Sequence, residues 1–217
     1  MRKLIILDAG GVLHPDSDLG LPNQARLVEL TGLSPEELSV YQGDHVVLNR
    51  GEQSLREVFE HIALDSRKEP KPAADELIEV YKTGITLYPG VPEMIRDLYG
   101  AGHQIVVLTN NSDIGVANTR EVLKREGFDD IPIYGSAEFH LIKPDPRLFE
   151  QVFASEKVKS DECWFVDDRE ENRAVARKLG ITTIDFTSPS TPMEAALAVN
   201  ACRDELIRLE VLRRHDV

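Results

Sequence analysis

Four short stretches of the chain hold residues whose types could do chemistry together: Asp8, Thr109-Asn110, Lys143 and Asp167-Asp168. Three of them close an apolar run. Leu4-Ile5-Ile6-Leu7 precedes Asp8, Ile105-Val106-Val107-Leu108 precedes Thr109, and Trp164-Phe165-Val166 precedes Asp167. Apolar runs of this length, bounded by turn residues, predict strands buried on both faces, as in a parallel sheet. The carboxyl ends of such strands are where open α/β sheets place their ligands. Asp8, Asp167 and Asp168 gathered at one edge would repel one another without a cation, and a set of oxygen ligands suits a hard ion such as Mg²⁺. Gly10 and Gly11 let the backbone come close to a ligand because no Cβ stands in the way. Taken singly, each stretch has a plainer reading. Asp8 starts a turn, Thr109 to Ser112 open a helix, Lys143 is a solvated charge, and Asp167-Asp168 cap the next helix. Their joint occurrence favours the chemical reading.

The elements that must position these residues alternate. Met94, Ile95 and Leu98 mark a helix before the Ile105 strand, and Ile114 to Glu126 form a helix after it, closed by Gly127. Ile131 to Tyr134 read as a short strand, and Asp145-Pro146 open a helix with Leu148, Phe149, Val152 and Phe153 on one face. Glu170 to Leu179 form another helix, Thr182 to Phe186 a fifth strand, and Thr191-Pro192 start a long C-terminal helix. Strands alternating with helices imply a parallel sheet with right-handed crossovers. Between Leu13 and Tyr88 the pattern is helical instead. Ser34-Pro35-Glu36-Glu37 is a helix start, and Leu55, Val58, Phe59 and Ile62, then Leu77, Ile78 and Tyr81, recur at helical spacing. The expected fold is α/β, a doubly wound parallel sheet of residues 1–13 and 89–217 with a helical cap, 14–88, inserted after the first strand.

Composition narrows the function classes. The 217 residues are 41% hydrophobic and 29% charged, enough apolar matter for a real core. A formal net charge of −13 argues against nucleic acid or an anionic membrane as the main partner. No apolar run reaches the length that crosses a bilayer, and the start, Met1-Arg2-Lys3-Leu4, turns acidic too soon for a signal peptide. The two cysteines, Cys163 and Cys202, fit a reduced, cytoplasmic protein.

Four motifs in this order on these elements resemble the haloacid dehalogenase superfamily, and the likeness spans nearly the whole chain. They are Leu7-Asp8-Ala9-Gly10-Gly11-Val12, Val107-Leu108-Thr109-Asn110, Lys143-Pro144-Asp145-Pro146, and Phe165-Val166-Asp167-Asp168 with Asn172 following. The Asp-x-Gly-Gly start with the paired acids looks most like the branch of small sugar-phosphate phosphatases with a helical cap. The resemblance implies a Rossmann-like core and an Mg²⁺-dependent phosphatase acting on a small phosphorylated metabolite. Asp8 would be the nucleophile that forms an aspartyl-phosphate, assisted by Lys143 and Thr109. Ala9, Gly10, Thr109, Asn110 and Lys143 would hold the phosphate, and Asp8, the Gly10 carbonyl, Asp168 and Asp167 the metal.

Two departures stand out. Phosphatases of this superfamily usually carry a second Asp two residues after the nucleophile, as general acid and base, where this chain has Gly10. His140 stands in the loop before Lys143 where relatives commonly have Gly. Two other functions compete with the phosphatase. A metal-free haloacid dehalogenase would turn the same Asp8 on carbon, and a non-catalytic regulatory protein would have lost its general acid. Specificity is expected in the inserted segment, with His14, Asp44, His45, Asn49 and Arg50 facing the substrate. An ordinary solvated helix face explains the cap residues equally well.

Overall fold

The structure is a computed structural model and describes residues 3–15, 23–41 and 45–212. Its centre is a parallel sheet of β1 (Leu4–Leu7), β2 (Gln104–Thr109), β3 (Ile133–Gly135), β4 (Cys163–Asp167) and β5 (Thr182–Asp185), in the order β3-β2-β1-β4-β5. The chain winds outward from β1 through β2 to β3, then returns to lay β4 on the other flank of β1. Asp8 therefore leaves the central strand where the winding reverses, the crevice position of doubly wound sheets. Leu7 lies opposite Val107 on one side and Val166 on the other, so Asp8 and Asp167 come level and Thr109 falls one residue beyond.

Successive side chains of a strand point to opposite faces, and the core is divided accordingly. Ile5, Leu7, Ile105, Val107 and Val166 pack under α6 (Val91–Gly100), α7 (Asp113–Arg125) and α11 (Pro192–Arg208). Leu4, Ile6, Val106, Leu108 and Phe165 pack under α9 (Pro146–Glu156) and α10 (Glu170–Lys178). Several strand ends differ from the sequence reading by a residue or two. β3 begins at Ile133 rather than Ile131, because Pro132 has no N–H for a ladder, and only its carbonyl serves β2, accepting from the Val107 N–H at 2.9 Å. β5 stops at Asp185, one residue short of Phe186.

Among the described residues, five helices lie between β1 and α6: α1 (Gln24–Thr31), α2 (Pro35–Val40), α3 (His45–Asn49), α4 (Leu55–Asp65) and α5 (Ala74–Lys82). Ser34 and Ser54 each begin a helix with a reciprocal capping box, to Glu37 and Glu57. Leu27, Leu38, Phe59, Ile62, Leu77 and Tyr81 form an apolar cluster, against which Ile114 of α7 also packs. α3, and α8 (Ser136–Phe139) before the Lys143 loop, were not visible as patterns, since each is too short to show a period. Where the chain leaves the sheet region and where it returns, Leu13 and Tyr88 meet through a 2.8 Å hydrogen bond from the Tyr88 N–H to the Leu13 carbonyl. Among the described residues, no helix is long and apolar enough to cross a membrane.

Candidate active site

Lys143 is the hub of the sheet edge. Its ammonium lies 2.8 Å from Asp8 Oδ1 and 2.8 Å from Asp167 Oδ2, with its Nζ 5.5 Å from the centroid of the Phe165 ring. All three groups are buried, Lys143 at 3% exposure and Asp167 at 0%. A buried ammonium persists only if paired, and two carboxylates pair this one. Burial alone would lower the Lys143 pKa, but the charges of Asp8 and Asp167 outweigh it and hold the lysine above its ordinary value.

The two carboxylates are treated differently. Burial pushes Asp167 up, yet Lys143, the Arg169 N–H and Asn172 prevail and hold it below the usual carboxylate range. Its Oδ1 accepts from the Arg169 N–H at 2.8 Å and from Asn172 Nδ2 at 3.0 Å, while the Arg173 guanidinium donates to its backbone carbonyl at 2.7 Å. Among the described residues Asp8 has fewer donors: Lys143 and the Ala9 N–H, the latter at 2.7 Å from Oδ1. Burial and the Asp167 charge, only partly offset by Lys143, push Asp8 up to about 7. Ion pairing thus fixes Asp167 as an anion and leaves Asp8 responsive to whatever charge arrives.

Asp168 completes the acidic group: carboxylate oxygens of Asp8, Asp167 and Asp168 all lie within 4.8 Å of one another. Three converging carboxylates beside the single positive charge of Lys143 are the hard oxygen donors a small divalent cation requires, so the residues fit such an ion. The glycines divide the work differently from expectation. Gly11 has φ +76°, and a Cβ built on it would stand 2.7 Å from Asp168 Oδ2 and 3.0 Å from Ser188 Oγ. Its close approach is to a carboxylate of the protein itself. Gly10 is not among the glycines with a positive φ.

The remaining residues singled out from sequence scatter more. Thr109 ends β2 opposite Gly135, buried beside the edge. Asn110 turns its side chain to the main chain of Lys143, accepting from its N–H at 2.7 Å and donating to its carbonyl at 2.9 Å. His14 is buried, with Nδ1 2.7 Å from the Pro15 carbonyl and Nε2 3.1 Å from Thr119 Oγ1 on α7. Asn49 and Arg50 meet the core through their carbonyls, which Ser136 Oγ and His140 Nδ1 engage. Asp44 and the side chain of His45 lie outside the described residues. His140 takes the left-handed conformation at φ 55°, which explains why a glycine suits this turn, and also lines a cleft of about 480 Å³ with Arg50, Glu52 and Arg147.

Arg173 and Ser136 carry no motif and were missed as partners of the site. Arg173 was discoverable in part: it follows Asn172 on a helix whose inward face must meet β4. Ser136 had no signal, because its partners, Asn49 and Asn111, come from two distant segments.

A profile of the family described as haloacid dehalogenase-like hydrolase matches residues 25–186, and the chain belongs to that family. Individual relatives are more distant. Acyl-CoA dehydrogenase family member 10 of Mus musculus is 26% identical over 199 residues, 88% of this chain but only 18% of its own length. Phosphoglycolate phosphatase of Vibrio vulnificus is 23% identical over 195 residues, covering 85% of this chain and 83% of the relative. (S)-2-haloacid dehalogenase 4A of Burkholderia cepacia is 27% identical over 137 residues, 62% of this chain and 56% of the relative. In structure, an HAD family enzyme of Bacteroides thetaiotaomicron, solved with magnesium and inorganic phosphate, superposes with a TM-score of 0.66 at 20% identity, over 88% of this chain and 97% of that one.

Proposed function

We propose that this hydrolase is an Mg²⁺-dependent phosphatase of a small phosphorylated metabolite, a sugar phosphate being the first class to try. The observation that carries the reading is the meeting of Asp8 with a buried lysine and two further carboxylates at the sheet's switch point. Phosphoryl transfer needs an oxygen nucleophile and neutralisation of the phosphoryl oxygens. In the first step Asp8 attacks phosphorus, the bond to the leaving oxygen breaks, and an aspartyl-phosphate forms. In the second, water attacks that phosphorus, the bond to Asp8 breaks, and inorganic phosphate departs with the carboxylate restored. Lys143, held protonated by its acidic neighbours, offsets charge on the phosphoryl oxygens, and Thr109 with the backbone at Ala9 and Gly10 orients them. Asp8, the Gly10 carbonyl, Asp168 and Asp167 would hold Mg²⁺, which supplies charge neutralisation between nucleophile and substrate. Residues 14–88 act as a cap that excludes water and selects the leaving group.

The phosphoglycolate phosphatase relative supports phosphate ester chemistry, and the magnesium and phosphate of the structural neighbour support the ion. One observation favours a second reading. Gly10 offers no carboxylic acid to protonate a leaving oxygen, and a haloacid dehalogenase, which needs none, is among the relatives. In that case Asp8 would attack carbon and expel halide. Assays with p-nitrophenyl phosphate and 2-chloropropionate, each with Mg²⁺ and with EDTA, separate the two. Phosphate release that requires Mg²⁺ is expected; halide release insensitive to EDTA, without phosphatase activity, would replace the first reading by the second, and no turnover of either would leave a binding protein.

A further inference from the structure

We propose that Asn110 is a positioning residue that holds Lys143 against Asp8 and Asp167, and that its side chain does not bind phosphate. This rests on the phosphatase reading for its kinetic consequences, though not for its geometry. Lys143 lies in a loop between α8 and α9, where neither a helix nor a strand fixes its backbone. Both polar groups of that residue's main chain are taken by one side chain: the Lys143 N–H donates to Asn110 Oδ1 at 2.7 Å and the Lys143 carbonyl accepts from Asn110 Nδ2 at 2.9 Å. A side-chain amide presents an acceptor and a donor side by side, matching the N–H and C=O of one residue. Asn110 follows directly on Thr109 at the end of β2, so the clamp ties the lysine's backbone to the rigid sheet.

The arrangement explains what the ion pairs alone do not. Two carboxylates at 2.8 Å fix where the ammonium sits, but the long lysine stem could reach them from several backbone positions. The clamp leaves one. It also uses the Asn110 oxygen and one of its two amide hydrogens within the protein. A misplacement near 1 Å at a reacting centre costs about 10²-fold in rate.

Asn110→Ala removes both hydrogen bonds while the Lys143, Asp8 and Asp167 side chains themselves are all retained. With p-nitrophenyl phosphate and Mg²⁺, kcat should fall by about 10- to 100-fold with little change in KM. In a Lys143→Met background the same substitution should cause less than a further 2-fold change, because a residue acting only through the lysine has nothing left to act on. Losses that multiply in the double variant, with weaker inhibition by inorganic phosphate in Asn110→Ala alone, would make Asn110 a phosphate ligand and overturn the proposal. So would a crystal structure of Asn110→Ala in which the Lys143 ammonium keeps its position, a result that needs no activity. Full activity in Lys143→Met would instead overturn the role given to the lysine, and a Tm of Asn110→Ala within a few degrees of the parent shows that lost folding is not the cause.

Discussion

The carboxyl edge of the sheet and the helices α1 to α5 are stabilised in opposite ways. At the edge, charged side chains are buried and each holds the next: Asn110 the Lys143 backbone, Lys143 both Asp8 and Asp167, Asn172 and Arg173 the far side of Asp167. In α1 to α5 an apolar cluster is buried, and the ion pairs lie outside it, such as Arg26 with Glu29, Arg56 with Asp75 and Arg67 with Glu37. Exposed pairs of that kind contribute roughly 0–1 kcal/mol each. A buried pair costs about 3–5 kcal/mol when one partner is removed, because the other charge is left behind. The lesson is that polar substitutions should be severe and strongly coupled in the first region, and mild and additive in the second.

The sharpest way to break this contrast is at Asp8. Asp8→Asn should abolish turnover, a loss of more than about 10³-fold, since the nucleophile is gone. Yet it should stabilise the metal-free protein. The folded pKa of Asp8 is raised from 3.8 to about 7, so the native state favours the protonated acid. That contribution is complete below pH 4 and is lost as pH rises through 7. At pH 8 with EDTA the wild type carries an ionised buried carboxylate, and Asn, which resembles the neutral acid, should be the more stable, an advantage that shrinks toward pH 5. Thermal melts at the two pH values check the sign; a lower Tm for Asp8→Asn at pH 8 would show that its pairing with Lys143 outweighs its burial.

Lys143→Met comes next. It leaves Asp8 and Asp167 facing each other, and should cost about 3–5 kcal/mol at pH 8 as well as most of the activity. Arg56→Ala and Arg67→Ala, which sever single exposed pairs of the helices, should each leave the midpoint of urea unfolding nearly unchanged. Equal effects in the two regions would end the comparison. Asp168→Ala is expected to keep the fold and to cut activity about 10- to 100-fold while raising the Mg²⁺ concentration for half-maximal rate, which a magnesium titration reads directly.

The mildest changes sharpen rather than break it. Gly10→Asp places an acid two residues after Asp8, at a glycine without a positive φ, and general acid assistance is typically worth ~10² to 10⁴ in rate. Alkyl phosphates should gain most, and aryl phosphates little, since their leaving groups need no proton. Comparing kcat for the two classes in both proteins tests this; equal rates in the wild type would mean that another residue already protonates the leaving oxygen. Smallest of all, Arg50→Ala should alter kcat/KM among sugar phosphates by about 10-fold or less and spare p-nitrophenyl phosphate. A uniform loss would move Arg50 from selecting substrates to supporting the fold.

The same contrast governs what could be read from the chain. Asp8, Thr109 and Asp167 were legible because a buried parallel strand is written as an unbroken apolar run, and its last residue is fixed by where that run ends. The helices α4 and α5 were legible through Phe59, Ile62, Leu77 and Tyr81, whose spacing states the buried face. Asn110 was legible as a site residue but its partner was not. A side chain that hydrogen-bonds a backbone 33 positions away leaves no periodicity, and the pairing exists only once β2 and the Lys143 loop are adjacent. Ser136 and Arg173 escaped for the same reason. Gly10 and Gly11 looked alike in sequence, yet only Gly11 has a left-handed backbone pressed against Asp168, a difference set by the loop's path rather than by residue type.

The hydrogen bond between Leu13 and Tyr88 has a consequence for how such a chain can diversify. Departure and return are pinned side by side, so the span between them is a closed loop whose ends do not move when its contents change. The entropy of closing a loop grows only with the logarithm of its length, about 0.6 kcal/mol for each doubling. Changes in the length of that span therefore add little to the cost of closing it. On the proposed role of that span as a cap, a library for new specificities belongs between residues 14 and 87.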